Sequence, residues 1–206
     1  MSEEPLRVLV LNASLKHGDK PSNSEEVTNV VLEKMRGHGA IEAESIRLSD
    51  KNIPVGLGFK ESDDDDWPDI VEKIKSSDIV IFATPIWWGG RSSLMQRAIE
   101  RMDAFDEEFI HGGRSALLNK VAGIVITGSE DGAQAVLASI MEVLTFINFT
   151  LPPNCCTYWV GETGLDPATD AERRRKNPAV EHMAINTARG LMHYATILKE
   201  HPMPAE

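Results

Sequence analysis

The chain contains little cysteine and no long apolar segment, and each absence excludes a class of protein. Its only two cysteines, Cys155 and Cys156, are neighbours and cannot supply a disulfide framework. No Cys/His spacing typical of a zinc or iron–sulfur site occurs. No apolar run reaches the roughly 20 residues that cross a bilayer, and the acidic residues 1–5 are unlike a signal peptide. We therefore expect a cytoplasmic protein without a membrane segment or a metal.

Positive charge is also scarce. The 206 residues include 21 Lys and Arg against 32 Asp and Glu, which gives a net charge of −11. Contacts to nucleic-acid phosphates or anionic lipid headgroups need clustered Lys and Arg, so neither partner is expected. The one basic run, residues 173–176, is typical of a solvated loop or helix start, although it also has the charge to meet a phosphate. The length favours a single domain over residues 1–206.

Apolar runs alternate with helical patterns along the chain. Short apolar runs predict five strands, near residues 6–11, 42–48, 78–84, 120–127 and 154–160. Apolar residues at helical spacing predict helices near residues 24–36, 67–76, 92–102, 132–146 and 178–201. This alternation is typical of an α/β protein with a doubly wound parallel sheet and helices on both faces, a three-layer sandwich.

The third predicted strand ends in the most informative motif of the sequence. Its continuous apolar run indicates burial on both faces, and the run stops at Pro85, Trp87, Trp88 and Gly89. Ligands of open α/β sheets lie at the carboxyl ends of such strands. Tryptophans also pack in cores and dimer contacts. Two of them between a proline and glycines favour a wall for a flat aromatic ligand.

The loop after the first strand leads into a helix start and carries Ser14, Lys16, Ser22, Asn23 and Ser24. Hydroxyls, free backbone N–H groups and the helix dipole together suit a phosphate group. The loop matches neither a P-loop nor the G-x-G-x-x-G fingerprint. An alternative interpretation is a capping box, because Ser22 is followed three residues later by a glutamate.

The loop after the fourth strand contains Ser129, Glu130 and Gly132 among small polar residues. Such a loop can place backbone donors and acceptors beside the edge of a ring, although Ser129 or Asp131 could equally cap the next helix. A phosphate site, an aromatic wall and a ring-edge loop meet at one edge of the predicted sheet. Together they indicate a mononucleotide that carries a flat heterocycle.

These three segments resemble the NAD(P)H-dependent FMN reductase family. The similarity lies in residues 8–16 with 22–24, in residues 78–89, and in residues 127–132. It implies a flavodoxin-like sheet in the order 2-1-3-4-5, with FMN at the switch point between the first and third strands. Some relatives carry a cysteine cluster where this chain has residues 52–66, and this chain has none there, which excludes an iron–sulfur cluster. The implied FMN-binding residues are Ser14, Lys16, Ser22, Asn23, Ser24, Thr84, Pro85, Ile86, Trp87, Trp88, Gly89, Ser129, Glu130 and Gly132.

The resemblance implies an oxidoreductase that passes hydride from NAD(P)H through FMN to a small-molecule acceptor such as a quinone or free flavin. No catalytic side chain is required, because the flavin performs the redox chemistry. The alternatives are a non-enzymatic electron carrier of the flavodoxin type and a binding module that has lost its flavin. The family also implies a homodimer or homotetramer, for which Phe105, Phe109 and Ile110 are candidate contacts or core residues.

Overall fold

The helices and strands of the computed structural model, which describes residues 4–161 and 177–204, follow the apolar patterns of the sequence. The strands are β1 (Leu6–Asn12), β2 (Ile41–Arg47), β3 (Ile79–Trp87), β4 (Gly90–Arg91), β5 (Val121–Gly128) and β6 (Cys156–Val160). The helices are α1 (Asn23–Arg36), α2 (Trp67–Ser76), α3 (Ser93–Arg101), α4 (Asp103–Gly112), α5 (Ala133–Phe146) and α6 (Pro178–Glu200). A 3₁₀ turn, Leu48–Asp50, follows β2.

The long strands form a parallel sheet in the order β2-β1-β3-β5-β6. The α/β fold with a parallel sheet is therefore confirmed, but the sheet contains one strand more than the predicted order 2-1-3-4-5 has. The two-residue β4 was not predicted, because so short a strand leaves no periodic signal. It pairs antiparallel with β3, off the main path of the sheet. The chain reverses its winding direction between β1 and β3, which opens a crevice at their carboxyl ends.

Each central strand is buried on both faces, which explains its continuous apolar sequence. On β3, Val80 and Phe82 pack into the core beneath α2, α3 and α5. Ile79 and Ile81 point the opposite way, into a second core beneath α1 and α6. The sheet is thus the middle layer of three. Helices cover both of its faces, so a ligand can approach it at the edge where the strands end and the loops begin.

The structure corrects one proposed contact and leaves other predictions open. Phe105 is buried in the core, edge-on to Phe59 with 5.0 Å between ring centroids, so it is not a surface contact. Phe109 and Ile110 are exposed on α4, a helix that the sequence pattern did not predict. The basic run at residues 173–176 lies outside the described residues. Within the described chain, no helix combines the length and apolarity needed to cross a bilayer.

Candidate functional site

A cleft of about 200 Å³ opens at the carboxyl ends of β1, β3, β5 and β6. The three loops singled out in the sequence contribute to its walls, together with the end of β6. This edge of the sheet is where open α/β proteins bind their ligands. The lining residues are Ser14, Leu15, Lys16, Ser22, Asn23, Ser24, Pro85, Ile86, Trp87, Thr127, Gly128, Ser129, Glu130 and Trp159.

The first turn of α1 forms a polar end of the cleft. Ser22 Oγ accepts a hydrogen bond from the Glu25 N–H at 3.4 Å and caps the helix. The Glu25 carboxylate does not complete a capping box, because it pairs with Arg47 instead. The first N–H groups of a helix have no intrahelical acceptor, and the helix dipole makes them favourable partners for an anion. Capping therefore leaves donors available at this helix start.

Asn23, the first residue of α1, has a buried polar atom that the protein does not satisfy. Its Oδ1 lacks a hydrogen-bond partner, and in the described chain only one other buried side-chain atom does, Trp67 Nε1 in the core. Turning the amide by 180° exchanges oxygen and nitrogen, so either a donor or an acceptor can face this position. Because an unsatisfied buried group costs stability, its presence in a cleft indicates a place for a ligand atom.

Local hydrogen bonds fix the other polar residues at this end of the cleft. The Ser24 and Thr127 hydroxyls lie 2.9 Å apart and connect the start of α1 to the end of β5. Ser14 Oγ accepts from the Lys16 N–H at 3.3 Å. The Lys16 ammonium donates to the Pro21 carbonyl at 2.9 Å across its own loop. Lys16 is the cation among the lining residues, and its exposed side chain leaves it accessible to an anion.

The tryptophan motif is a hairpin that projects from the sheet. Trp87 pairs with Gly90, and the two residues between them, Trp88 and Gly89, have φ angles of 51° and 73°. Two positive φ angles define the tight turn that normally takes Asn-Gly, so tryptophan at its first position is strained by about 1–2 kcal/mol. The Trp87 side chain is 50% exposed and that of Trp88 is 91% exposed. The hairpin therefore presents flat apolar surface at the mouth of the cleft.

The loop after β5 holds this hairpin in place. The Glu130 carboxylate accepts a hydrogen bond from the Trp88 N–H at 2.7 Å. Gly132 packs directly on Gly89, since a Cβ at Gly132 would lie 2.8 Å from the Gly89 Cα. Gly132 also has a φ of 126° and occupies the N-cap position of α5, where no side chain caps the helix. Neither Ser129 nor Asp131 is therefore the cap.

Most of the predicted site residues line one cleft, but four of them do not. Thr84 is fully buried within β3, where it accepts a hydrogen bond from the Ser92 N–H at 3.1 Å. Trp88, Gly89 and Gly132 lie beside the cleft, in the hairpin tip and the loop that supports it. Leu15, Thr127 and Gly128 also line the cleft; they belong to the sequence motifs but were not among the implied contacts. Trp159 lines it too and was not predicted at all. Trp159 carried a usable signal, because it is an aromatic residue near the carboxyl end of a strand.

The cleft contains no cysteine, and the chain's thiols are poorly suited to catalysis. Cys155 and Cys156 lie at the start of β6, at the other end of that strand, and burial raises the pKa of both thiols. Within residues 4–161 and 177–204, no cluster of three or more His, Cys, Asp or Glu residues is placed to hold a metal ion. The arrangement suits binding of an anion next to a flat ring system, with the ring supplying any redox chemistry.

Comparison with known proteins gives several similar chains. The 8-demethyl-8-aminoriboflavin-5′-phosphate synthase of Streptomyces davaonensis is 29% identical over 210 residues, covering 96% of this chain and 80% of that protein. The divalent metal cation transporter MntH of Mycobacterium bovis is 30% identical over 204 residues. That match covers 94% of this chain, which spans only 29% of the transporter's length.

Solved structures agree with the fold. RosB, with the bound intermediate 8-demethyl-8-formylriboflavin-5′-phosphate, superposes with a TM-score of 0.82 at 27% identity, covering 96% of this chain and 82% of that one. An NADH:FMN oxidoreductase in its apo form, at a TM-score of 0.60 and 17% identity over 91% of this chain and 96% of that one, shows the shared fold alone. The family model described as NADPH-dependent FMN reductase matches residues 6–163. The chain belongs to the NADPH-dependent FMN reductase family.

Proposed function

We propose that this cleft binds FMN and that the protein transfers hydride from NAD(P)H through FMN to a small acceptor such as a quinone or free flavin. The phosphate would lie at the start of α1, the ring system against the tryptophan hairpin, and the ring edge beside Ser129 and Glu130. The observation that carries the proposal is the unsatisfied buried amide of Asn23, at an open helix start within the cleft of a chain from this family.

The residues at the helix start fit a phosphate group. Backbone N–H groups, the Ser22 and Ser24 hydroxyls and the Lys16 ammonium supply donors and positive charge. Glu25, one of two acidic residues in the first turn of α1, is neutralised by its ion pair with Arg47. The Asn23 amide can donate to a phosphate oxygen or accept from a ribityl hydroxyl.

The size of the cleft supports an accessible flavin ring. Pockets that enclose a whole small molecule measure about 300–1,000 Å³, whereas this cleft measures about 200 Å³. Part of the ring system would therefore remain outside, next to the exposed apolar surfaces of Leu15, Trp87 and Trp88. An open ring face allows a nicotinamide to approach, and this favours an enzyme over a shielded electron carrier.

Bound FMN would supply the hydride and electron chemistry. The protein's own residues bind the phosphate, orient the ring and set its electrostatic surroundings. Glu130 holds the Trp88 N–H at 2.7 Å and so fixes the hairpin against which the ring would pack. No side chain of the cleft needs to act as a general acid or base.

The test is a flavin titration followed by anaerobic mixing with NADPH and, separately, NADH. We expect the purified protein to bind FMN, with quenching of flavin fluorescence, and the bound flavin to bleach on mixing with a nicotinamide. A carrier would bind FMN without direct reduction by either nicotinamide. A protein that neither retains nor binds FMN would contradict the whole proposal.

A second candidate is an enzyme that modifies a flavin phosphate as its substrate. The observation that favours it is the similarity to RosB, which holds a modified riboflavin phosphate as a bound intermediate, and to the synthase of Streptomyces davaonensis, which is named for another. Mass spectrometry of the flavin released from the purified protein separates the two candidates. Unmodified FMN supports the reductase, whereas a flavin altered at its 8-position supports the modifying enzyme.

A further inference from the structure

The loop between β1 and α1 is held from outside the cleft by three residues that follow one another closely in the chain. These are Arg47 at the end of β2 and Ser49 and Asp50 in the 3₁₀ turn, which we call the β2 bracket. Arg47 Nη1 donates to the Gly18 carbonyl and, at 2.8 Å, to the Lys20 carbonyl. One guanidinium nitrogen therefore binds two carbonyls of the loop.

The rest of the β2 bracket fixes the loop between these points. Ser49 Oγ donates to the Lys16 carbonyl at 2.8 Å. The Asp50 carboxylate accepts the Gly18 N–H at 2.9 Å. Loop carbonyls that accept these hydrogen bonds are held by the bracket, so they are not free to turn toward an anion. The loop is preorganised by residues that do not line the cleft.

Arg47 also controls the charge at the helix start. Its Nη2 pairs with the carboxylate of Glu25, which belongs to the first turn of α1. The Arg47 side chain is 12% exposed, so water screens this pair less than it screens a surface pair. Without Arg47, the Glu25 carboxylate would stand unneutralised in the same helical turn as the N–H groups that attract an anion.

We propose that Arg47 is a positioning residue for the phosphate of FMN, acting through loop 13–22 and through Glu25. This inference rests on the proposed function, because it takes the start of α1 as the phosphate site. It predicts that the protein prefers FMN to riboflavin and that part of this preference depends on a residue that does not touch the ligand. Removing Arg47 should weaken binding of the phosphorylated flavin selectively, since riboflavin has no group at that position.

The experiment compares R47M with R36M by fluorescence titration of FMN and of riboflavin. Arg36 is exposed at the C-terminal end of α1, so the control removes the same positive charge at a position away from the helix start and the cleft. We expect R47M to raise the Kd for FMN about 10- to 100-fold, as for the loss of hydrogen bonds that involve charged groups. The Kd for riboflavin should change less than about threefold in R47M, and R36M should leave both constants near wild type.

Two further variants separate the two roles of Arg47. R47K keeps the charge but cannot reach two carbonyls and a carboxylate with one planar fork, so we expect an intermediate Kd for FMN. R47M/E25Q removes the unneutralised carboxylate, so it should recover part of the lost FMN affinity at low salt. Hydrogen exchange of loop 13–22 in the flavin-free protein should be faster in R47M than in R36M.

The outcomes are distinct. If wild-type protein binds neither flavin, the proposed function is wrong, and this inference fails with it. If wild type binds FMN and R47M loses FMN and riboflavin affinity equally, Arg47 only supports the fold and the inference is overturned. Wild-type FMN affinity in R47M also overturns it. Unchanged riboflavin affinity in R47M shows that the variant is folded.

Discussion

Two polar loops leave the same edge of the sheet after neighbouring strands, and they differ in how their polar groups are satisfied. Loop 51–66, after β2, closes around an ion pair between Arg101 and Asp65, 2.7 Å apart with both side chains fully buried. Arg101 also donates to the Gly58 and Pro54 carbonyls at 2.9 and 3.1 Å. Loop 13–22, after β1, leads to the buried Asn23 Oδ1, which has no hydrogen-bond partner among residues 4–161 and 177–204.

The difference distinguishes a loop that builds structure from one that builds a site. In loop 51–66 the charged groups satisfy one another, so a ligand has nothing to add there. Around loop 13–22, the β2 bracket makes hydrogen bonds to the loop from outside the cleft. The N–H groups at the start of α1 therefore remain available to a ligand in the cleft. Both loops are rich in polar residues, so composition alone does not tell them apart. The positions of their partners do.

The largest effect should come from breaking the closed loop with R101M. This substitution leaves the Asp65 carboxylate buried without its cation, which typically costs about 3–5 kcal/mol in the free energy of unfolding. Urea denaturation measures the loss. The matched control is K60M in the same loop, where the Lys60–Asp63 pair is exposed and should contribute less than about 1 kcal/mol. Equal stabilities of R101M and K60M would show that the loop opens and rehydrates Asp65.

The pH dependence of the R101M effect has a definite sign. Burial alone raises the pKa of Asp65, but hydrogen bonds from Arg101 and from the Trp67 and Glu61 N–H groups outweigh it and lower the pKa. The stabilisation is therefore present above the unfolded pKa of about 3.9 and is lost as the pH falls through the folded value. The stability difference between wild type and R101M should narrow in acid.

The second prediction concerns the support under the hairpin. In G132A, the new Cβ would lie 2.8 Å from the Gly89 Cα, at a φ of 126° that alanine rarely adopts. We expect a loss of about 1–3 kcal/mol in the free energy of unfolding, together with weaker flavin binding because the hairpin must shift. G112A is the control, because nothing lies within 4 Å of a Cβ at that position. Equal free energies of unfolding for G132A and G112A would contradict the close packing of Gly132 on Gly89.

A third prediction uses Lys120, a half-buried cation that donates only to carbonyls in the hydrogen bonds the structure gives it. Its ammonium donates to Lys75 and Ser77 at 2.6 and 2.8 Å. Burial lowers the pKa of Lys120 to about 8, against an opposing attraction to Asp78. Between pH 8 and the unfolded pKa of about 10.4, the unfolded chain binds more protons, so folding becomes more favourable as the pH rises.

The comparison with K120M isolates that titration. From pH 7 to 9.5, the free energy of unfolding of wild type should rise by about 1–2 kcal/mol relative to K120M. Thermal or urea unfolding at several pH values measures the difference. A difference that stays constant would mean that the ammonium is hydrated in the folded state. Lys120 would then not belong with Arg101 among the enclosed cations.

Much of the fold could be predicted because burial leaves a local trace in the sequence. The strands β1, β3 and β5 are apolar on both faces. Polar loops follow β1 and β5, and the tryptophan–glycine motif follows β3, at the edge where a cleft must form. The short β4 was missed because two residues show no period. Helix α4 was missed although Phe105 and Phe109 lie at helical spacing, because Phe109 and Ile110 are exposed and form no buried stripe with Phe105. Thr84 was assigned to the cleft, but its hydroxyl is fully buried and accepts a hydrogen bond from the Ser92 N–H, a contact that no sequence pattern indicates.

The partners of the charged residues could not be predicted. Arg47 meets Gly18, Lys20 and Glu25 across 22 to 29 residues of chain, and Arg101 meets Asp65 across 36. Such pairs depend on which loops lie side by side, and no spacing rule in the sequence encodes that. Nothing in the acidic run at residues 63–66 sets Asp65 apart from its neighbours, yet its side chain is fully buried.

The fourth prediction tests whether the strained turn is kept for the ligand. W88N installs Asn-Gly, the preferred pair for a turn with two positive φ angles, and retains the N–H that Glu130 accepts. We expect the free energy of unfolding to rise by about 1 kcal/mol. FMN should bind about 2- to 10-fold more weakly if the indole packs on the ring. A gain in stability without a change in FMN affinity would place Trp88 outside the flavin site.

The last and smallest effect on stability makes the sharpest distinction between site and structure. N23D replaces the unsatisfied amide with a carboxylate of the same shape at the start of α1. A negative charge at a helix N-terminus stabilises the helix, so the free energy of unfolding should rise by about 0.3–1 kcal/mol. The same charge should repel the phosphate and raise the Kd for FMN by about tenfold or more, with a smaller change for riboflavin.

N29D is the matched control for N23D, because it adds the same charge at an exposed position further along α1 and away from the cleft. It should change FMN binding less than about threefold, since exposed charges at a distance are screened. A stabilised N23D protein that binds FMN as tightly as N29D would show that the phosphate does not lie at this helix start. A substitution that raises the free energy of unfolding and weakens FMN binding is expected only where the folded protein leaves a polar group unsatisfied for a ligand.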